Sequence, residues 1–110
     1  MNQSIDQYSV YWVDLNPTQG AEINKIRPGV VISPVEMNQY LRTIIIAPIT
    51  STGREGYPTR VRIQEKEIKG WIVLDQVRAI DKTRLRQKIG GLNSEEISEV
   101  KNIIKEMLVD

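Results

Sequence analysis

The amino-acid sequence predicts a mainly β fold, a small antiparallel barrel followed by one C-terminal α-helix. Three observations lead to this prediction: β-branched and aromatic residues cluster in short runs, turn residues separate these runs, and a helical apolar period occupies the last segment. Because strands do not alternate with long helices, a βαβ fold is not expected. We predict about five or six strands in a single domain spanning residues 1–110, since cores of about 100 to 150 residues are the usual unit.

Three strands are predicted in the N-terminal half. Residues 8–15, YSVYWVDL, end at an Asn-Pro turn and form the first predicted strand. The β-branched runs of residues 29–35 and 42–50 form the second and third. Pro34 and Pro48 lack an N–H donor, which indicates a bulge or an unpaired edge at each position.

Two connections join these strands. Residues 16–26 carry proline, glycine and small polar residues without an apolar period, which predicts an exposed loop. The segment MNQYL, residues 37–41, predicts one helical turn between the second and third strands.

The C-terminal half begins with further strands. In residues 59–64, TRVRIQ, apolar and polar residues alternate, which predicts a half-buried strand with two arginines on its outer face. Residues 71–80, WIVLDQVRAI, predict one more strand. Residues 81–91 predict a short helix that stops at Gly90 and Gly91.

The last segment, residues 93–110, predicts a helix. Its apolar residues recur at spacings of three and four, the period of an apolar helical stripe. Asn93 fits the N-cap, and Glu96 three residues later completes the pattern of a capping box.

Composition narrows the possible functions. The chain has no cysteine and no histidine, so it lacks disulfides, thiolate metal ligands and the side chain that most often acts as a general acid or base near neutral pH. Its apolar runs are far shorter than the roughly 18 residues of a membrane span, and its N-terminus does not resemble a secretory signal. We therefore expect a cytoplasmic protein without membrane contact, bound metal or cofactor.

Charge is distributed unevenly along the chain, although the net charge is only +1. Residues 25–91 hold 13 basic and 6 acidic residues, whereas the segments on either side each carry a net charge of −3. A basic middle segment fits the footprint of a polyanion on one face. Scattered surface charge would give the same count, so charge alone leaves both interpretations open.

Arg27 is the first candidate for chemistry. Because Pro28 follows it, its backbone is biased towards extended geometry, and its guanidinium should project from a fixed position. The planar fork of donors matches a phosphate group. The alternative is a surface salt bridge with Glu22.

Polar residues follow two apolar runs. Thr50 and Ser51 begin a series of three hydroxyl residues, where hydroxyl and amide groups can converge on an anion. Asp75 and Gln76 follow the apolar run WIVL, which would place a carboxylate and an amide at the end of a core strand. An ordinary turn is the alternative at both places.

Trp12 and Trp71 lie within strand-like runs. Aromatic side chains in strands are more often core or interface residues than platforms for nucleobases. We therefore expect neither tryptophan to stack on a base.

Five segments in a fixed order resemble the MazF/PemK/Kid family of toxins, and together they span nearly the whole chain. They are WVDLNPTQGAE (12–22), RPGVVISP (27–34), PITST (48–52), GYP (56–58) and LDQVRAID (74–81). The resemblance implies a twisted SH3-like barrel with a C-terminal helix, usually a homodimer. It also implies a toxin of a type II toxin-antitoxin system that cuts single-stranded RNA, inhibits translation and growth, and is neutralised by a cognate antitoxin.

The resemblance also implies roles for individual residues. Arg27 and Thr50 would be the central catalytic pair, with Glu22 in a loop over the site. Ser51, Asp75, Gln76 and Arg78 would lie beside the bound RNA, and Asp75 is a candidate general base. Many relatives carry an acidic residue where Ser9 stands, so this chain leaves Glu22 or Asp75 to act as the base.

Binding partners follow from the same resemblance and from the basic middle segment. Side chains expected to contact RNA phosphates, with a steep salt dependence, are those of Lys25, Arg54, Arg60, Arg62, Arg78 and Lys82. The antitoxin is expected to place an acidic tail in the same groove. Contact with DNA is expected only through the antitoxin.

The implied reaction is attack by the 2′-hydroxyl of RNA on the neighbouring phosphate, which leaves a 2′,3′-cyclic phosphate and a 5′-hydroxyl and needs no metal. Arginine is protonated at neutral pH, so Arg27 would act as a stabiliser of charge or as an acid. Two alternatives remain open: a non-catalytic CcdB-like toxin that poisons gyrase, and an SH3-like protein-binding module. Neither requires the pair of Arg27 and Thr50.

Overall fold

The computed structural model describes residues 4–15, 26–51, 58–64 and 68–109, and in these ranges it contains seven strands and two α-helices. Turns of 3-10 helix cover Leu74–Gln76 and Lys82–Arg84, and a π-helical turn, Lys105–Val109, follows the second helix. The elements are β1 (Ser9–Asp14), β2 (Ile26–Val31), α1 (Val35–Tyr40), β3 (Thr43–Thr50), β4 (Arg60–Gln64), β5 (Lys69–Val73), β6 (Arg78–Asp81), β7 (Leu85–Gly91) and α2 (Ser94–Ile104).

All described strand pairs are antiparallel, and the strands follow the order β4-β5-β3-β2-β1-β7, with β6 also paired to β3. This sheet curls into a half-barrel. The predicted mainly β antiparallel fold with a C-terminal helix is therefore confirmed. Within the described ranges no helix has the length and apolar character needed to cross a bilayer.

Strand β3 is the centre of the sheet. It pairs with β2 along one side, and along the other side it pairs first with β6, up to Ile46, and then with β5, from Ile49. Pro48 lies in the interval where the partner changes. The proline thus marks an interruption of pairing on one side, as predicted, while β3 itself continues. Pro34 lies outside the strands, at the N-cap of α1.

Apolar side chains pack on both faces of the central strands. Val10, Val30 and Ile49 belong to one buried cluster, which α2 covers with Val100. Alternate residues of the same strands, Val13, Val31, Ile44 and Ile46, form a second buried cluster on the opposite face together with Ile80 of β6. Both faces of β1, β2 and β3 are therefore buried along part of their length.

A capping box begins α2, as the sequence predicts. The Asn93 side chain accepts a hydrogen bond from the Glu96 N–H at 2.8 Å, and Glu96 Oε1 accepts one from the Asn93 N–H at 2.9 Å. Glu96 is buried, and its second carboxylate oxygen accepts a hydrogen bond from the Gln64 N–H at 3.1 Å. One carboxylate therefore joins the start of the helix to the end of β4.

Two predicted elements are wrong. Residues 71–80 form two strands separated by the turn at Leu74–Gln76, because β5 and β6 pair with different parts of β3 and the chain must step between them. Residues 81–91 form a 3-10 turn and strand β7 rather than a helix, because β7 pairs with β1. Asp81 caps that turn, and the hydrogen bond from the Thr83 N–H lowers the pKa of its carboxyl group.

We predict that Glu96→Gln lowers the free energy of unfolding by about 1 to 3 kcal/mol, because the buried amide cannot accept from both N–H groups and leaves one of these part-buried donors without its acceptor. Urea unfolding measures this change. Glu95→Gln removes the same charge from an exposed position in the same helical turn and is the control. It should cost only the helix-dipole contribution, about 0.3 to 1 kcal/mol. Equal losses in the two variants would contradict the double role of Glu96.

Candidate active site

One face of the sheet changes from apolar to polar along β2 and β3. Because side chains alternate along a strand, Arg27 shares a face with buried Val31, and Thr50 shares that face with buried Ile46. Arg27 is exposed and Thr50 is half-buried. The second apolar cluster therefore occupies one end of this face, and the arginine and the hydroxyl group occupy the other.

A row of side chains crosses four adjacent strands at the polar end. Arg62 on β4 lies opposite Trp71 on β5, and Trp71 lies opposite Thr50 on β3. The last pair between β2 and β3 is Gly29 with Pro48; Arg27 and Thr50 each lie two residues beyond it on their own strands, on the same face, and both line one groove. Directly opposite residues in antiparallel strands have Cβ atoms about 4.5 to 5.5 Å apart and project from the same face. We call these four side chains the cross-strand row.

A groove of about 420 Å³ opens at the same end of the sheet. Three arginines, Arg27, Arg60 and Arg78, line it together with the Thr50 hydroxyl group and the Gln76 amide. Apolar side chains from the ends of β1, β3 and β5 complete its walls. The groove thus concentrates hydrogen-bond donors and positive charge beside partly apolar walls, where electrostatic attraction is stronger than in bulk water.

The described lining of the groove contains no acidic side chain. Nor do any three aspartate or glutamate residues of the described ranges gather in a way that could hold a metal ion. Three guanidinium groups on one concave surface attract an anion. The arrangement therefore suits a phosphate-bearing ligand.

Asp75 lies just outside the groove. It is exposed, and its Oδ1 accepts a hydrogen bond from the Thr59 hydroxyl group at 2.9 Å. Its neighbour Gln76 does line the groove. The contact with Thr59 orients the Asp75 carboxylate beside the start of β4.

The other residues singled out in the sequence have separate positions. Ser51 is exposed and directly follows β3. Ser9 is buried, and its hydroxyl group donates to the Asp6 carbonyl at 2.5 Å. The Lys82 ammonium group donates to the carbonyl of Asn38, a residue of α1, at 2.5 Å. Glu22, Lys25 and Arg54 lie outside the described residues.

The end of β1 is held by two arginines that the sequence did not indicate. Arg86 Nη2 lies 2.9 Å from Asp14 Oδ2, and Arg84 Nη1 donates to the Asp14 carbonyl at 3.2 Å. These contacts position the backbone next to Leu15, which lines the groove. Because the partners are far apart in sequence, no local pattern predicts them.

Gly70 is a further residue that sequence reasoning missed. A Cβ atom added at Gly70 would lie 2.3 Å from the Thr50 carbonyl oxygen, far inside van der Waals contact. The glycine therefore lets β5 approach the backbone of Thr50 closely. An isolated glycine inside a strand pattern is the available signal for such an approach.

Residues 6–108 match a family model described as the PemK-like, MazF-like toxin of type II toxin-antitoxin systems. The chain belongs to this toxin family. Endoribonuclease MazF of Staphylococcus saprophyticus is 39% identical to it over 100 residues, which cover 86% of this chain and 83% of the relative. The resemblance found in the sequence is thus confirmed by both comparisons.

Solved structures with the same fold include a MazE-MazF crystal structure from Deinococcus radiodurans. It superimposes with a TM-score of 0.84 at 24% identity and covers 97% of each chain. A mycobacterial endoribonuclease in complex with its cognate antitoxin gives a TM-score of 0.81 at 19% identity, over 96% of this chain and 95% of that one. These likenesses support the PemK/MazF fold of the present chain.

We predict that Gly70→Ala destabilises the protein by about 1 to 3 kcal/mol, because the added methyl group must displace the backbone at Thr50. Urea unfolding gives the energy, and the amide resonance of Thr50 reports the displacement. Gly91→Ala is the control, since its Cβ would meet only the Tyr8 carbonyl oxygen, at 3.6 Å. That variant should change stability by less than about 0.5 kcal/mol. Two variants of equal stability would show that the close approach is unimportant.

Proposed function

We propose that this chain is the toxin of a type II toxin-antitoxin pair and acts as a sequence-selective endoribonuclease on single-stranded RNA. Membership of the PemK/MazF family and the 39% identity to an endoribonuclease MazF support the activity. The single observation that supports this location for the site is the groove that Arg27 and Thr50 line together with Arg60 and Arg78.

The proposed reaction uses the RNA itself as the nucleophile. The 2′-hydroxyl group loses its proton to a base and bonds to the adjacent phosphorus, while the bond from phosphorus to the 5′-oxygen breaks. The departing oxygen takes up a proton. The products are a 2′,3′-cyclic phosphate and a 5′-hydroxyl group, and no metal ion is required. DNA lacks the 2′-hydroxyl group and is therefore not a substrate.

Arg27 and Thr50 would stabilise the transition state. Negative charge builds up on the non-bridging phosphate oxygens as the 2′-oxygen attacks, so donors fixed in advance contribute most of the acceleration. The Arg27 guanidinium supplies a charged fork of donors, and the Thr50 hydroxyl group supplies another donor from the neighbouring strand. Both strands are anchored by buried residues, which fixes the backbone that carries the two side chains.

The general base would be Glu22 or Asp75. Asp75 is held beside the groove by its hydrogen bond from Thr59, where a carboxylate could accept the proton of a bound 2′-hydroxyl group. Ser9 does not replace the acid found in many relatives, because its hydroxyl group is buried against the Asp6 carbonyl.

Phosphate groups on either side of the cleaved bond would contact the remaining basic residues. Arg60, Gln76 and Arg78 line the groove, and Arg62 and Ser51 lie at the same end of the sheet. Lys25 and Arg54, outside the described residues, are proposed for the same role.

A cognate antitoxin with an acidic tail would inhibit the enzyme by occupying the groove, since its carboxylates would meet the same three arginines as RNA does. We expect a homodimer located in the cytoplasm, in which the exposed apolar side chains of Leu108 and Val109 are available for contact. The antitoxin, and not this chain, would make any direct contact with DNA.

Cleavage products distinguish this function from a gyrase poison or a protein-binding module. The purified protein is incubated with a long single-stranded RNA in the presence of EDTA, and the fragment ends are analysed. Cyclic phosphate and 5′-hydroxyl ends are expected. Intact RNA would reject the nuclease, and 5′-phosphate ends would reject the mechanism.

We predict that Arg27→Ala lowers the cleavage rate by at least about 100- to 1,000-fold, the loss that follows removal of one oxyanion donor. Arg27→Lys should recover part of the rate, because the charge remains while the planar fork is lost. Circular dichroism should show an unchanged fold, since Arg27 is exposed. Arg42→Ala, at a side chain that is 91% exposed and reaches Asp81 at 4.0 Å, is the control. A fully active Arg27→Ala enzyme would refute the assignment.

We predict that RNA affinity falls with salt and that the lining arginines cause much of this dependence. Each phosphate contact adds about −0.7 to the slope of log K against log salt for a single strand, so the three lining arginines should contribute about −2. Arg78→Gln should make the slope shallower by about 0.7, and Arg42→Gln should leave it unchanged. A 2′-O-methyl RNA, which cannot be cut, allows the equilibrium measurement. An identical slope in both variants would remove Arg78 from the interface.

A further inference from the structure

Trp71 occupies the position in the sheet next to the proposed catalytic threonine. It lies directly opposite Thr50 on one side and Arg62 on the other, so all three side chains project from the same face. Neighbouring strands are separated by about 4.8 Å. The indole is therefore one strand away from Thr50 and two strands away from Arg27.

The packing of Trp71 differs from that of its neighbours and of the second tryptophan. Ile72 and Val73, which follow it on β5, are buried. Trp71 is only half-buried and belongs to neither apolar cluster of the described residues, whereas Trp12 packs against the first cluster, on the opposite face of the sheet. A large aromatic side chain thus remains partly exposed on the face that carries Thr50, beside the groove rather than in its lining.

Arg62 lies over the indole ring, with its guanidinium carbon 5.8 Å from the ring centroid. This distance is near the outer limit of a cation–π contact, about 6 Å. The side chain of Arg62 is exposed, so its guanidinium plane is within reach of a ligand beside the ring. Indole rings and guanidinium planes are both surfaces on which unstacked nucleobases stack in complexes with single-stranded RNA.

We propose that Trp71 and Arg62 form a stacking subsite for the nucleobase next to the cleaved phosphate. The proposal rests on the endoribonuclease function proposed above. It adds that Trp71 and Arg62 contact a nucleobase of the RNA substrate. The cross-strand row sets the order of contacts: Arg27 and Thr50 hold the phosphate, Trp71 takes the adjacent base, and Arg62 covers that base or its next phosphate. Every base has an aromatic face, so the subsite contributes affinity and alignment with little discrimination between bases.

The first test uses binding, which is independent of cleavage. The cutting position is mapped by sequencing 5′ ends, and a 2′-O-methyl oligonucleotide is built around it. A set of such oligonucleotides then carries one abasic residue at successive positions. For the wild-type protein, the abasic residue next to the mapped bond should weaken binding by about 10-fold, the scale of one base-aromatic stack.

Trp71→Val should weaken binding of the intact oligonucleotide by a similar factor, and the abasic residue should then have no further effect. Valine suits a strand, which favours retention of the fold; the urea midpoint checks this. Trp71→Phe keeps an aromatic ring and should bind nearly as well as wild type. Independent, additive losses from Trp71→Val and the abasic residue would overturn the subsite.

The second test observes the indole directly. In Trp12→Phe, Trp71 is the single tryptophan, and stacking of a base should quench its fluorescence on addition of the intact oligonucleotide. The abasic oligonucleotide should bind with much less quenching. Equal quenching by both would contradict stacking at Trp71.

The two proposals fail in different ways. If wild-type protein leaves RNA uncut in the experiment that analyses fragment ends, both the endoribonuclease function and the stacking subsite are rejected. If wild-type protein cuts RNA and Trp71→Val cuts it with unchanged kcat/KM, the subsite alone is rejected. The expected result is a Trp71→Val enzyme whose kcat/KM falls about 10-fold, while Arg27→Ala loses at least about 100-fold.

Discussion

The pairing register of β3 against its neighbours is the constraint on which the site depends. Ile44 and Ile46 are fully buried at one end of the strand, and burying one such side chain stabilises the fold by about 1.5 to 3 kcal/mol. A slip of one residue would turn both towards the opposite face and would remove Thr50 from the groove at the same time. Apolar packing at one end of β3 therefore determines where the hydroxyl group lies at the other.

Local patterns in the sequence were sufficient for the elements that local energetics specify. The period of α2, the capping box at Asn93 and the alternation in β4 are examples, because each involves residues a few positions apart. The turn at Leu74–Gln76 and strand β7 were not predicted. Both exist because of partners elsewhere in the chain, as β5 and β6 divide β3 between them and β7 pairs with β1.

In the candidate site too, some residues could be predicted from the sequence and others depend on partners distant in the chain. The resemblance to PemK/MazF toxins indicated Arg27, Thr50, Gln76 and Arg78, and the fold brings these four to one groove. It did not indicate Trp71, because the position of an aromatic residue relative to Thr50 depends on the register of two strands about 20 residues apart. The ion pair of Arg86 with Asp14 joins residues 72 positions apart and left no pattern to recognise.

The shared carboxylate of Glu96 has a consequence for how such toxins can diverge. Because it accepts from the N–H groups of Asn93 and Gln64, it adds a polar contact between the C-terminal helix and the strand that carries Arg62 to the apolar packing of Val100. A recombinant chain that acquired its last helix from a relative without an acid at this position would keep the apolar packing and lose this polar contact with β4. Exchange of the helix would therefore reduce stability at the outermost strand of the cross-strand row.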